Sequence, residues 1–520
     1  MPAPRFDRID GLAIALEATD APLPIGRATV DAAEWTAAAE AARASGRLVA
    51  LWGGTTEGGD PAVHAAYAFA GGLAWITLAL APSHPDYPDV SRLFPAALRM
   101  QRAARDLAGV VAAGSADQRP WLRHDAWPAG YFPLRRGEGE SSAPVPAAKP
   151  EPYRFVTVEG DGVHEIAVGP VHAGIIEPGH FRFSVVGEKV LRLEERLGYV
   201  HKGIEQLMER TAPLDAHRIA GRACGDSTVA YAWATCMALE AATGVVVPDR
   251  AAWLRGLLLE RERVANHLGD LGALANDVAL AFGLAQFSRL REDWLRLNGE
   301  LFGHRLLMDR IVPGGTCVDL DAAAAARLAA QCDALEPQVE RLHAIFEEHP
   351  GLQDRFIGTG RVATPLATRL GLCGLAGRAS GIARDLRADH PHPPYDRLAV
   401  RAASAAAGDV AARAEVRFAE LRSSLQLIRD IARGLPQGAR LATVGDIGRA
   451  GAGAGWVEGW RGEILVALQL APSGAIRRCH LSDPSWRNWP VLEHAVIDNI
   501  VPDFPLINKS FNLSYSGHDL

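Results

Sequence analysis

One stretch divides this chain before any element is assigned. Residues 137–152 read GEGESSAPVPAAKPEP, with Val145 as the only large apolar residue. Such a segment cannot bury enough surface to offset the entropy of ordering it. It predicts a linker, so the chain divides into residues 1–136 and residues 153–520. A length of 520 residues gives both parts room for their own core.

The first part predicts an α+β sandwich. DAAEWTAAAEAARASG reads as a helix closed by Gly46, and FPAALRMQRAARDLAG carries apolar residues at helical spacing. RLVALWGG and GGLAWITLAL read as strands bounded by glycine pairs. The second part opens with β pattern in YRFVTVEG, HEIAVG and HFRFSVVGEKVLRLEERLG. Helical periodicity follows over Leu214–Thr243, Pro248–Asp270, Ala273–Asp309, Asp319–His349 and Gly408–Gly434. GEILVALQL, then SG, then AIRRCHLS predicts a hairpin. A short helix over Pro490–Ile500 and a polar tail complete the pattern. The fold class is therefore α+β, a sandwich joined by a linker to a mainly helical domain with β caps.

A net charge of −7, without a basic stripe, argues against nucleic acid as partner. No window of about 18 apolar residues occurs, so no bilayer span is expected. MPAPRFDRIDGLAIALEATD lacks the layout of a signal peptide. The six cysteines form no Cys-x-x-Cys pair, and their spacing builds no iron–sulfur or zinc site. GTGR (358–361) and GDIGRAGAGAG (445–455) lack Rossmann or P-loop context, and the second reads as a mobile loop.

Several segments could carry chemistry. GPVHAGIIEPGHFRF places His172, Glu177 and His180 in one loop, where two imidazoles and a carboxylate can relay protons. The alternative is that they cap strands. GYVHKGIEQLMER, with His201, Lys202 and Glu205, reads as a solvated amphipathic start. In RACGDS, Cys224 and Ser227 lie three apart, and Asp226 between them is a candidate ionisable group. Ser485 and Asn488 in DPSWRN repeat that spacing without a thiol. A serine hydroxyl stays protonated near neutrality, so such a set holds a soft metal poorly. Asn266, His267 and Asp270 read as structural hydrogen-bonding groups.

These motifs, in this order, together with HRLLMDRIVPGG and the stretch from DPSW to FNLSYSGHDL, resemble the large subunits of group 4 nickel–iron hydrogenases. The formate hydrogenlyase and hydrogenase-4 types are included, and the quinone-site large subunit of complex I is similar over the same span. The resemblance covers about 153–520. ALRMQRAARDLAGVVAAGSADQRPWLRH resembles the smaller complex I subunit often fused ahead of it, with Arg102, Asp106, Gly109, Asp117 and Arg119 at matching positions. Gln101 and Ala103 stand where acids are usual.

The resemblance implies four thiolate ligands for nickel and iron. Cys224 matches the first position, and Ser227, Ser485 and Asn488 are assigned to the other three, so no nickel–iron centre is expected. Glu177 falls at the family's proton-handling glutamate, and His172 and His180 resemble histidines of the quinone loop. Gly225 stands where a quinone-binding tyrosine is usual. The implied partners are a small subunit with a 4Fe-4S cluster and antiporter-like membrane subunits. The implied place is the inner face of the cell membrane. Three readings follow: a redox subunit with a metal-free pocket built from His172, Glu177, His180 and Asp226, passing electrons to a quinone or other acceptor; a non-catalytic scaffold; and a hydrogenase with an altered metal site.

Overall fold

The computed structural model describes residues 5–56, 58–135, 152–170, 177–445, 447 and 451–520. His172 and most of the expected linker lie outside the described residues.

In the first part, helix Ala32–Ser45 starts at a capping box. Asp31 accepts from the Ala33 and Glu34 backbone N–H groups, and Glu34 accepts from the Asp31 N–H in return. Gly46 ends this helix. The sheet beside it has five strands, in the order Glu17–Ala18, Ile25–Val30, Gly72–Ala79, Pro61–Phe69 and Arg47–Thr55. Only the pair Ile25–Val30 and Gly72–Ala79 is parallel. Helix Ala97–Ala108 lies against strand Arg47–Thr55, so close that a Cβ on Gly53 would sit 2.6 Å from that of Ala108.

The motif residues of this part fasten one loop. Asp106 accepts from the backbone N–H groups of Trp121 and Leu122 at 2.6 and 2.8 Å. Arg102 donates to the Arg119 carbonyl at 2.7 Å and to Asp117 at 3.1 Å. Gly109 ends the helix at φ +70° with the Phe132 ring against it.

The second part opens with an antiparallel sheet of Val163–Val168, His180–Val186 and Lys189–Arg196. YRFVTVEG is not a strand. Its aromatic rings lie beneath guanidinium groups instead, Tyr153 under Arg196 at 4.2 Å and Phe155 under Arg182 at 4.3 Å.

The helices differ from the expected boundaries. Leu214–Thr243 is broken: a short helix Ala216–Ala220, an irregular segment, then Thr228–Thr243. Asp249–Asp277 runs as one helix past Gly269 and Gly272, and Gly272 is where helix Ala281–Phe302 comes close, a Cβ there standing 3.0 Å from that of Phe287. Ala281–Phe302, Ala322–Glu348 and Val410–Gly434 complete the bundle, the last two capped by Asp321 and Asp409.

Of the segment expected to be a mobile loop, residues 451–455 belong to strand Gly451–Glu458, the edge of a sheet with Glu463–Leu470 and Ile476–Ser482, while residues 446 and 448–450 lie outside the described residues. The hairpin is as expected, turning at Ser473 and Gly474 (φ +82°). The last helix expected over 490–500 starts earlier, at Ser485, and ends at Ala495. The polar tail is instead two buried helices, Phe504–Phe511 and Tyr515–Asp519.

Each of the two large apolar clusters draws on residues from both sides of the linker. One joins Trp52 and Trp75 to Trp233 and Leu257; the other joins Trp35 and Tyr67 to Phe183 and Trp489. The fold class is α+β, and no described helix is long and apolar enough to cross a membrane.

Candidate functional site

The break at 221–227 positions the site. Asp226 is turned out of helical register, and three groups hold it there. Asn266 and the Trp460 indole donate to its backbone carbonyl at 2.7 and 2.9 Å. Arg461 donates to both carboxylate oxygens, at 2.6 and 2.7 Å. Burial opposes the Asp226 charge, but the Arg461 guanidinium holds the carboxyl down to about 2. About 37% of the Asp226 side chain faces outward, beside exposed Gly225, so this group connects the interior to the surface.

Cys224 lies behind it. Its thiol donates to Asp226 Oδ1 at 2.8 Å and accepts from the Ser514 hydroxyl at 3.0 Å. Arg461 Nη1 is 3.6 Å from the sulfur and 3.3 Å from Ser227 Oγ. Burial, reinforced by the Asp226 charge, pushes the thiol far above the usual cysteine range. Cys224 is therefore a neutral thiol.

The two distant segments are linked through Tyr231 and Ser514, which belong to neither. Tyr231 donates to Asp483 Oδ2 at 2.8 Å, and the Ser485 hydroxyl accepts from the Ser514 N–H at 2.9 Å. Asn488, however, does not face Cys224. Its side chain accepts from the Cys373 N–H at 3.0 Å and donates to the Cys373 carbonyl at 3.3 Å. The residue facing Cys224 across the site is Ser514. Gly517, three residues on, donates its N–H to Ser514 Oγ at 2.8 Å. The assignment of Ser485 and Asn488 opposite Cys224 is thus corrected: the tail supplies that wall, with the 224/227 spacing recurring at 514/517.

Glu177 belongs to this wall, accepting from the Ser516 N–H at 2.9 Å. His180 does not. Its Nδ1 bonds the Gly169 carbonyl at 3.1 Å, and its ring lies against Phe155 in a separate cavity with Arg196 and Tyr199. Burial lowers its pKa. Glu262 stands under the start of helix Thr228–Thr243, accepting from Val229 N–H at 2.7 Å. Burial pushes its carboxyl up to about 8. The space between Asp226, Glu262 and Asn266 is about 10 Å³, too little for an organic molecule.

Arg461, Ser514, Gly517 and Glu262 were missed from sequence. The four-residue pattern Cys-x-x-Ser recurring as Ser-x-x-Gly was the one signal present, and it is too common to single out. Among the described residues no group of three or more His, Cys, Asp or Glu is arranged to hold a metal ion.

The comparisons agree with this architecture. Residues 28–140 match the family described as respiratory-chain NADH dehydrogenase, 30 Kd subunit. Residues 277–449 match its 49 Kd subunit, and 202–271 match nickel-dependent hydrogenase. Formate hydrogenlyase subunit 5 of Escherichia coli (strain K12) is 32% identical over 86% of this chain and 80% of its own length. Hydrogenase-4 component G of the same organism is 31% identical over 84% and 76%. A chain of the membrane-bound sulfane sulfur reductase, an archaeal respiratory membrane complex, shares the fold. Its TM-score is 0.65 at 24% identity, covering 69% of this chain and 99% of that one.

The class is thus an oxidoreductase-complex subunit of hydrogenase type. The chain belongs to the family of group 4 hydrogenase and complex I-like large subunits.

Proposed function

We propose that this chain is the large subunit of a hydrogenase-4-like or complex I-like membrane-associated oxidoreductase complex that works without a nickel–iron centre. It takes electrons from a 4Fe-4S partner subunit to a quinone or another acceptor. Residues 153–520 form the large-subunit unit, 1–136 the smaller-subunit unit and 137–152 the join. Antiporter-like membrane subunits hold the complex on the inner face of the membrane.

The observation that carries this reading is the donor set around Cys224. Nickel and iron in this family need bridging thiolates. Here one protonated thiol faces two hydroxyls and a glycine, and the positive charge between them belongs to Arg461. The residues do not fit the metal pair. What they do fit is proton handling. Cys224 keeps its proton, Asp226 stays anionic and reaches the surface, and Glu177 touches the Ser514–Gly517 turn. A reducible molecule held at the Asp226 mouth by the partner subunit would take its proton from Glu262, which lines the same space as Asp226 and whose carboxyl burial pushes up to about 8.

The scaffold reading draws on a different observation, the 10 Å³ of free space at Asp226. Acceptor reduction by the purified whole complex separates the two. With Glu177→Gln and Asp226→Asn combined, the redox reading expects at least a ten-fold loss of turnover with assembly intact. Unchanged turnover establishes the scaffold. Stoichiometric nickel in the purified complex would return the altered-hydrogenase reading.

A further inference from the structure

Another space, with a mainly apolar lining, lies away from Cys224. It lies where the two parts of the chain meet, a cavity of about 260 Å³. Strand Arg47–Thr55 and helix Ala97–Ala108 form one side, and strand Ile476–Ser482 with Trp486 forms the other. Exposure gives it a direction. Half-buried Gln206 and Pro133 and exposed Lys202 line its mouth, while buried His480, Ser482 and Trp486 close its inner end.

The inner end is polar but carries no net charge. Glu205 accepts from Arg478 at 2.9 Å with one oxygen and from His480 Nδ1 at 2.6 Å with the other. Burial opposes the Glu205 charge, but Arg478 and His480 hold its carboxyl down to about 2. Burial, the largest influence on His480, lowers its pKa, so the ring is neutral with its proton on Nδ1. Nε2 then presents a lone pair, and among the described residues no protein group donates to it. The ring is held flat by the Trp52 indole, stacked at 4.6 Å and 10°. Nε2 is not sealed off from solvent, so a ligand hydroxyl there would donate to it in place of water.

We infer that this junction cavity binds an uncharged, flat aromatic molecule of one or two fused rings bearing a hydroxyl, which donates to His480 Nε2. The size follows from the volume: a cavity near 150 Å³ accommodates a benzene ring, and this one is larger. The flat shape follows from the Trp127 and Trp486 side chains in its walls. The absence of charge follows from the closed Glu205–Arg478 pair. Lys202 does not alter this, since its ammonium donates to the Arg222 and Ala223 carbonyls at the mouth. That contact also puts the mouth one residue from Cys224. The inference is independent of what the complex reduces.

The test uses the full chain, 2-naphthol as probe and naphthalene as its hydroxyl-free counterpart, read by calorimetry and tryptophan fluorescence. Saturable one-to-one binding is expected, with naphthalene about five-fold weaker, the factor of one neutral hydrogen bond. His480→Phe should remove that five-fold difference. Gln206→Trp, at the partly exposed mouth, should abolish binding of both probes while leaving the melting temperature unchanged. Absence of saturable binding to the wild-type chain overturns the inference. So does undiminished binding in Gln206→Trp, or equal affinity for the two probes; none of these outcomes depends on the His480 variant folding.

Discussion

At the scale of single residues, the site depends on one ion pair and the thiol behind it. Arg461 spans Asp226, Ser227 and Cys224, with its guanidinium 4.0 Å from the Trp460 ring. Arg461→Ala leaves the carboxylate without its counter-charge. The loss should be about 2 kcal/mol, below the range for a fully buried pair because Asp226 is partly solvated. Chemical denaturation measures it. The sign of the pH effect follows from Asp226. Its folded pKa, about 2, lies below its ordinary value, so the pair stabilises the protein above roughly pH 4. That contribution fades as pH falls toward 2, and the Asp226→Asn variant should have a flatter acid-unfolding profile over that range. Cys224 gives a third readout. In the native chain it should resist alkylation at pH 8. Asp226→Asn removes the adjacent negative charge and leaves a weaker, neutral acceptor, so the rate should rise, as mass spectrometry of the modified peptide will record. A rate lower than wild type would contradict the proposed thiol–carboxylate contact.

At the scale of elements, the closest contact between strand Gly451–Glu458 and helix Thr228–Thr243 explains why GAGAG is not a mobile loop. A Cβ on Gly455 would stand 1.9 Å from the Ala234 carbonyl oxygen, and one on Gly453 2.3 Å from that of Ala238. The glycines let a strand lie directly on a helix that is buried along nearly its whole length. Gly455→Ala should therefore cost about 3 kcal/mol or more, since backbone rather than a flexible side chain must move. Gly225→Ala, with nothing within 4 Å, serves as the control and should be near neutral in thermal unfolding. The same principle explains two boundary differences. Glycine inside Asp249–Asp277 makes room for Phe287 rather than ending the helix, and glycines around 221–225 sit where Asp226 is pulled outward. Composition alone does not distinguish a glycine needed for close approach from one needed for a turn.

At the scale of the whole molecule, the two parts share their cores and are joined by charge. Arg47 donates to both Glu463 oxygens at 3.2 and 2.8 Å, and Arg99 bridges Glu195 and Glu493 at 2.8 and 2.6 Å. Burial opposes the Glu463 charge, yet Arg47 and Arg487 hold its carboxyl well below the usual range. Glu463→Gln leaves Arg487 buried without a carboxylate and should lower stability by about 3 kcal/mol. One cooperative unfolding transition is expected in wild type, since neither part closes its core alone. Two resolved calorimetric transitions would count against that.

The sequence by itself carried the class of the fold, the helix ends at Gly46 and Gly434, the closing hairpin, and the family through its ordered motifs. The helix ends and the hairpin are local: a glycine stop and a turn each need only their immediate neighbours. It also marked Cys224 as the one thiol at its locus. The tertiary structure alone decided what faces that thiol. Ser514 and Arg461 arrive from segments hundreds of positions away, and nothing in their neighbourhoods marks them out. It likewise buried Glu205, which reads as a solvated helix start, because Arg478 and His480 on a distant strand neutralise it. A buried charge is tolerated only where its partner is, and the partner's position is a property of the packed chain.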